Sequence, residues 1–203
     1  MQAAIDQFRI NIERVRNLGA IYEVLRGQTT TILDLSDILR AELVMVVSVL
    51  DHYIHEIVRL GMLEAYSGNR IQTPAFLRFQ VTLESALHGI STPTSDSWLE
   101  NQIRTRHSYQ SFQYPDNIAN AIRLISEVQL WNEVANHLAM RPQNVKRELM
   151  LIVDRRNKIA HEADMDVSFP ALPGKRWPIN DVWVDDAINF IEQIAETIYT
   201  VVS

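Results

Sequence analysis

Leu43-Val44-Met45-Val46-Val47-Ser48-Val49-Leu50 is the richest apolar run in the chain, and it sits inside a helical pattern that continues to about Tyr66. The run ends at Asp51 and His52, far short of the roughly 18 to 20 apolar residues that span a bilayer, so it reads as core. The surrounding pattern opens near Asp34 or Ser36, both good N-caps, and closes at Ser67-Gly68-Asn69. At some thirty residues it exceeds a typical globular helix. It is therefore expected to be the spine of a helical bundle.

Helical spacing extends to both sides of this spine. Ile5, Phe8, Ile12, Val15, Leu18 and Tyr22 share one side of a segment from about Ala3 to Arg26, which Gly27-Gln28-Thr29-Thr30-Thr31 breaks. Thr73-Pro74, a cap followed by proline at the first helical position, predicts a short helix to about Leu87, then a loop from Gly89 to Thr94. Ser95 or Asp96 caps a helix containing Trp98, Leu99 and Ile103. Pro115-Asp116 opens one that runs through Ile118, Ala121, Ile122, Ile125 and Val128 to Leu138, and Pro142 begins another. Residues 165–179, with Pro170, Pro173, Gly174 and Pro178, read as a turn-rich loop. Asn180 or Asp181 then caps a last helix carrying Val184, Ile188, Ile191, Ile194, Ile198 and Val201. No repeat, low-complexity tract or linker divides the pattern. The expectation is an all-α, single-domain helical bundle over residues 1–203 with a long spine helix.

At 203 residues the chain is long enough for one domain with a sizeable core and short for two. Asp6, Arg9, Glu13, Arg14 and Arg16 exclude a signal-peptide core near the start. The absence of cysteine removes disulfides, thiolate metal sites and cysteine nucleophiles together. A cytoplasmic protein without a membrane partner fits best. The net charge of −6 argues against coating nucleic acid by bulk electrostatics. The charge is uneven, however: Arg141, Lys146, Arg147, Arg155, Arg156 and Lys158 face only Glu148 and Asp154 in one strip. An acidic body with one basic strip favours a localised phosphate site, although such strips are usually solvated faces.

That strip ends in Asp154-Arg155-Arg156-Asn157-Lys158-Ile159-Ala160-His161-Glu162. Val145, Leu149, Ile152, Val153, Ile159, Ala160 and Ala163 form the apolar stripe leading through it, and at about 100° per residue Arg156 falls in its middle. Arg155 and Lys158 fall outside, toward solvent. A guanidinium on a burying face is costly unless it is paired, opens into a cleft or belongs to an interface. Arg156 and His161 stand roughly 140° apart on a straight helix, whereas Asn157 and His161 share a face. For Arg156 and His161 to act on one group, the helix must unwind near His161 or a second copy must contribute. The alternative is structural: Arg156 bridges to a carboxylate, with Asp51 on the spine helix as the candidate partner, and His161 complements the helix dipole.

Other constellations are weaker. His52, His55 and Glu56 have helical ligand spacing but lack an evident third ligand, so they read as a polar helix edge. Arg104, Arg106, His107, Tyr109, Phe112 and Tyr114 mix cations with aromatics as single-strand binders do, yet Phe112 and Tyr114 read more simply as packed beneath the loop before Pro115. No serine elbow or glycine-rich phosphate loop is present. Neither a metal nor a cofactor is called for.

Arg156-Asn157-Lys158-Ile159-Ala160-His161-Glu162 resembles the signature of the HEPN superfamily, in which Arg, a polar residue, a short spacer and His form an RNase centre. Leu39-Arg40-Ala41-Glu42, the stretch Ser48 to Glu56, Phe112 to Ile118, Trp131 and Val134 are similar to its RiboL-PSP-HEPN branch, so the likeness covers roughly residues 35 to 165. The resemblance implies a helical bundle that commonly dimerises and cuts RNA without a metal. It assigns Arg156, Asn157 and His161 to catalysis. The basic strip adds Arg155, Lys158, Lys146 and Arg147 as candidate RNA-binding residues, and Asp51 on the spine helix is the candidate support. The expected function is an endoribonuclease, a homodimer, in a defence or toxin–antitoxin setting with a cognate antitoxin or regulatory protein. The rival expectation is a non-catalytic helical module binding a partner protein or RNA.

Overall fold

The computed structural model describes residues 1–28, 33–92, 95–166, 168 and 175–203. Among these, nine α-helices follow one another: α1 (Gln2–Gln28), α2 (Ser36–Tyr66), α3 (Pro74–Leu77), α4 (Leu83–Ser91), α5 (Ser97–His107), α6 (Pro115–Ile122), α7 (Leu130–His137), α8 (Pro142–Glu162) and α9 (Asp181–Val202). The only extended pairing among them is one antiparallel bridge, Met165 to Arg176. No helix among the described residues is long and apolar enough to cross a membrane. The all-α bundle read from the sequence is the observed fold class.

The spine expectation is met by α2. Leu43, Val46, Val47, Leu50, Ile54, Ile57 and Val58 are fully enclosed, because α1, α5, α6, α8 and α9 all pack against this one helix. Tyr53 stacks on Phe8 of α1 at 5.0 Å and donates its hydroxyl to the Ala195 carbonyl of α9, tying three helices at one buried point. Gly61 lets Ile125 approach, since a Cβ there would lie 2.7 Å from that side chain. Outside the core, Arg9–Glu196, Arg16–Glu192 and Arg26–Asp181 line the α1–α9 seam.

Two expected helices are each divided. Thr73 caps α3 by accepting from the Phe76 N–H, but α3 stops at Leu77, and Thr82 caps a separate α4 that reaches Ser91. Gly89 to Ser91 are thus helical rather than loop, and Thr94 lies outside the described residues. The stretch from Pro115 to Leu138 breaks into α6 and α7 around Arg123–Gln129, where Ile125 turns inward against Gly61. Thr29 to Thr31, Pro170, Pro173 and Gly174 also lie outside the described residues.

The spine also buries a carboxyl group. Glu42 is 1% exposed with Oε1 unpartnered, and burial, aided by the Asp185 charge, pushes its pKa up to about 7. An acid whose pKa is raised by folding stabilises the fold below its unfolded value and loses that contribution as pH climbs through the folded one. His107, held down to about 4 by burial, acts oppositely at lower pH, so the comparison must be with a variant. Wild type and Glu42→Gln are expected to melt alike at about pH 4, with the variant melting higher at about pH 8. The shift corresponds to at most roughly 3 kcal/mol. Equal melting temperatures at both pH values would remove Glu42 as a titrating element.

Candidate functional site

The second half of α8 leaves the core. Val145, Leu149, Ile152 and Val153 are buried, Ile159 is half-buried, and Ala160 and Ala163 are exposed. The apolar stripe therefore fades just where the chemistry-bearing residues begin. Arg156 is half-buried and has no carboxylate partner among the described residues. Its Nη1 donates to Asn157 Oδ1 at 2.9 Å, and its buried Nε meets no acceptor. Asn157 in turn donates from Nδ2 to the Tyr114 hydroxyl at 2.8 Å, across from the residue just before α6. This chain of hydrogen bonds holds the guanidinium in place while leaving donors unused. A buried N–H without an acceptor is uncommon, and the planar fork of Arg matches a phosphate or carboxylate.

Asp51 is not the partner of Arg156. Its carboxylate accepts from the Phe112 N–H and, at 3.4 Å, from the Ser111 hydroxyl, with His55 4.0 Å away. It thus satisfies the backbone of the loop between α5 and α6, a demand that helix periodicity cannot display. Tyr114, read from the sequence as a packed aromatic in preference to a base-stacking one, is the residue that reaches the motif.

Arg155 is also not where the sequence put it. Rather than facing solvent, its Nη2 lies 2.8 Å from Asp164 Oδ2 and within hydrogen-bond reach of the Trp177 and Pro178 carbonyls. Arg40 of the spine helix donates to the same Asp164 oxygen at 2.7 Å and to the Trp177 carbonyl at 2.9 Å. Asp164 is fully buried between them. Burial lowers the Arg155 pKa, against the pull of Asp164. This Arg40–Asp164–Arg155 clamp secures the end of α8, where Ala163 and Asp164 both take positive φ (50° and 59°) and the Asp164 N–H closes on the Lys158 carbonyl at 3.0 Å. Left-handed backbone at two non-glycine residues is costly, and the clamp is what holds it. Arg40 and Asp164 are 124 residues apart, so no local signal could have joined them.

The remaining candidates are dispersed. Lys146 pairs with Asp116 at 2.8 Å and Arg147 reaches only Asn144, both about 15 Å up the helix from Arg156. Lys158 is exposed, with its ammonium 5.4 Å from the centre of the Trp177 ring. His161 is exposed in the last turn of α8, on the face of Asn157, and its ring meets no hydrogen-bonding partner among the described residues. The helix does not unwind before it. Arg156 and His161 of one chain therefore point roughly 140° apart. At the clusters read as a polar edge, Glu56 is held by Arg59 and Arg104, while His55 packs on Phe112 at 4.4 Å.

The arrangement is thus a guanidinium with spare donors and an exposed imidazole five residues further along, on a rigidly terminated helix. No curated protein and no solved structure matches the chain. A family model does: RiboL-PSP-HEPN matches residues 9–203, a span that takes in the spine helix, the Tyr114 loop, α8 and α9 alike. With nearly its whole length so matched, the chain belongs to the RiboL-PSP-HEPN family.

Proposed function

We propose that this chain is a metal-independent endoribonuclease that acts in the cytoplasm as a homodimer on RNA. The observation that carries the reading is Arg156: a half-buried guanidinium, positioned by Asn157 and Tyr114, with no carboxylate to neutralise it and no acceptor for its buried Nε among the described residues. RNA supplies both an anion and its own nucleophile, so the protein needs only proton transfer and charge stabilisation. In this mechanism a base takes the 2′-hydroxyl proton and the 2′-oxygen attacks the adjacent phosphorus. Arg156 stabilises the charge that develops on the phosphoryl oxygens. An acid protonates the departing 5′-oxygen, giving a 2′,3′-cyclic phosphate and a 5′-hydroxyl. Imidazole can both take and give a proton, and His161 supplies it. Asn157 orients the phosphate or the imidazole.

One His161 cannot serve as base and acid together, and it stands away from Arg156 on a regular helix. A C2 dimer with the second half of α8 near its two-fold axis answers both demands by bringing the two motifs together. Met150 and Leu151 of α8, 45% and 54% exposed, give such an interface apolar contact. A defence or toxin–antitoxin setting, with a regulatory protein as further partner, accompanies this reading.

Purified wild type and His161→Ala incubated with total RNA in EDTA test it. Wild type alone should cut, leaving cyclic-phosphate ends. Cutting that appears only with added Mg²⁺ would remove the proposed chemistry, and a monomer by light scattering at tens of micromolar, where ordinary stable dimers persist, would remove the two-copy site. The second reading, a non-catalytic module binding a protein or RNA, is favoured by one observation: within a single chain Arg156 and His161 do not converge.

A further inference from the structure

We propose that the cleft between α3, the end of α5 and α6 is a base-stacking subsite that docks single-stranded RNA beside the Arg156 motif. The cleft has a volume of about 600 Å³, and no carboxylate lines it. In a chain of net charge −6 this is an unusual stretch of surface. Arg78 and Arg106 are exposed on its wall, and neither is ion-paired among the described residues. The Arg106 guanidinium lies 5.8 Å from the centre of the Phe79 ring, which holds it in orientation without neutralising it. Two such cations suit a phosphodiester backbone.

Tyr109 supplies the second, independent feature. Its side chain is 91% exposed at the turn after α5, whereas its neighbours His107 and Phe112 are buried and pack edge to face at 5.2 Å. The cation–aromatic series in this part of the sequence therefore divides. His107 and Phe112 belong to the core, while Arg106 and Tyr109 stay in solvent, as single-strand binders place the groups that grip backbone and bases. The side-chain amides of Gln110 and Asn117 also line the cleft, and that of Asn117 spends one N–H on the Ser111 carbonyl at 2.9 Å and keeps the other. Each amide offers a donor and an acceptor, the pairing that base edges require. An acidic peptide would use the cations and leave the phenol and the amides idle, and a duplex would hide its base faces from Tyr109.

One loop ties the subsite to the motif. Tyr109 and Tyr114 are the two ends of one short loop, at most about 18 Å of chain. Phe112 in the middle of that loop is fixed by Asp51, and Tyr114 at its end accepts the Asn157 hydrogen bond. A strand stacked on Tyr109 would need only a few nucleotides to present a phosphodiester to Arg156. This inference takes its substrate class from the ribonuclease reading and adds where the strand is gripped.

The test is fluorescence anisotropy with a labelled single-stranded RNA oligomer, an abasic oligomer of equal length and a duplex, all in the non-cleaving His161→Ala background. Tyr109→Ala is expected to weaken binding of the single strand about tenfold, the loss of one stacked base. It should leave the abasic oligomer unaffected, and Tyr109→Phe should restore binding. Arg78→Ala and Arg106→Ala should each reduce the log–log salt slope by about 0.7. Tyr109 is exposed, so an unchanged melting curve is expected and would show that folding is not the cause. Equal affinity of Tyr109→Ala for the single strand, duplex bound as well as the single strand, or displacement by polyglutamate as effective as by RNA would each overturn the subsite. Cleavage is read separately, with His161 intact. Tyr109-dependent binding without any cleavage would keep the subsite and sink the ribonuclease. Cleavage with Tyr109-independent binding would do the reverse.

Discussion

Arg156→Ala and His161→Ala should each abolish RNA cleavage while leaving the melting curve close to that of wild type. Loss of His161 removes the proton-transfer group, worth about 10²–10⁴-fold in rate. Loss of Arg156 removes charge stabilisation, worth about 10²–10³-fold by analogy with one oxyanion donor. The fold should tolerate both changes for a specific reason. Arg156 has no carboxylate partner among the described residues, so its removal strands no buried anion there and costs the hydrogen bond to Asn157 Oδ1. His161 is exposed and holds no hydrogen bond among the described residues. Lys158→Ala should weaken RNA binding only modestly and chiefly at low salt, because an exposed ammonium is screened. If two motifs share one phosphate, inactive His161→Ala titrated into wild type should depress activity beyond simple dilution as subunits exchange. A collapsed melt for Arg156→Ala beside a fully active His161→Ala would sink the nuclease assignment.

Much of the fold was legible because apolar periodicity reports burial directly. Ile5, Phe8, Ile12 and Val15 on α1, and Val184, Ile188, Ile191, Ile194 and Ile198 on α9, lie in the core as their spacing required. Periodicity does not report continuity. Ile118, Ala121, Ile122 and Ile125 keep helical spacing through the point where α6 ends, and no glycine or proline marks the break. The turn exists because Ile125 can seat against Gly61 on the spine helix, which is tertiary information. The division of α3 from α4 was more accessible. Thr82 caps α4 by accepting from the Ser85 N–H, a signal of the same kind that located Thr73.

At the candidate site, the spacing correctly placed Arg156 toward the core and Asn157 and His161 on one face. It could not supply partners. Helix geometry gives the direction of a side chain, while partners arrive from distant parts of the chain: Tyr114 for Asn157, and Arg40 with Asp164 for Arg155. Asp51 was a reasonable guess for a buried guanidinium, but the loop at Phe112 had a stronger claim on it. Arg155, on the face expected to be solvated, was captured because the chain after α8 folds back over that face.

Asp164→Ala is the substitution expected to damage the fold most. The carboxylate has no solvent exposure, and two guanidiniums, Arg40 and Arg155, converge on its Oδ2 at 2.7 and 2.8 Å. Removing it leaves Arg40, 6% exposed, with only the exposed Asp37, 3.6 Å away, as a counter-charge. Breaking a buried pair in this way costs about 3–5 kcal/mol. For a chain of this size that is a fall of very roughly 10 °C in melting temperature. The effect should also reach the motif. Asp164 carries positive φ at the turn that ends α8, and without the clamp only its backbone hydrogen bonds with Lys158 and Trp177 remain to offset that strain, so the last turn bearing His161 should fray. Hydrogen exchange should then quicken in α8 from about Lys158 onward while the Val145–Val153 segment stays protected. Arg40→Met with Arg155→Met in the Asp164→Leu background should recover stability, because an apolar replacement of a buried ionic cluster strands no charge. If Asp164→Ala melts like wild type and exchange at His161 is unchanged, the clamp does not support the helix end, and the placement of His161 must rest on something else.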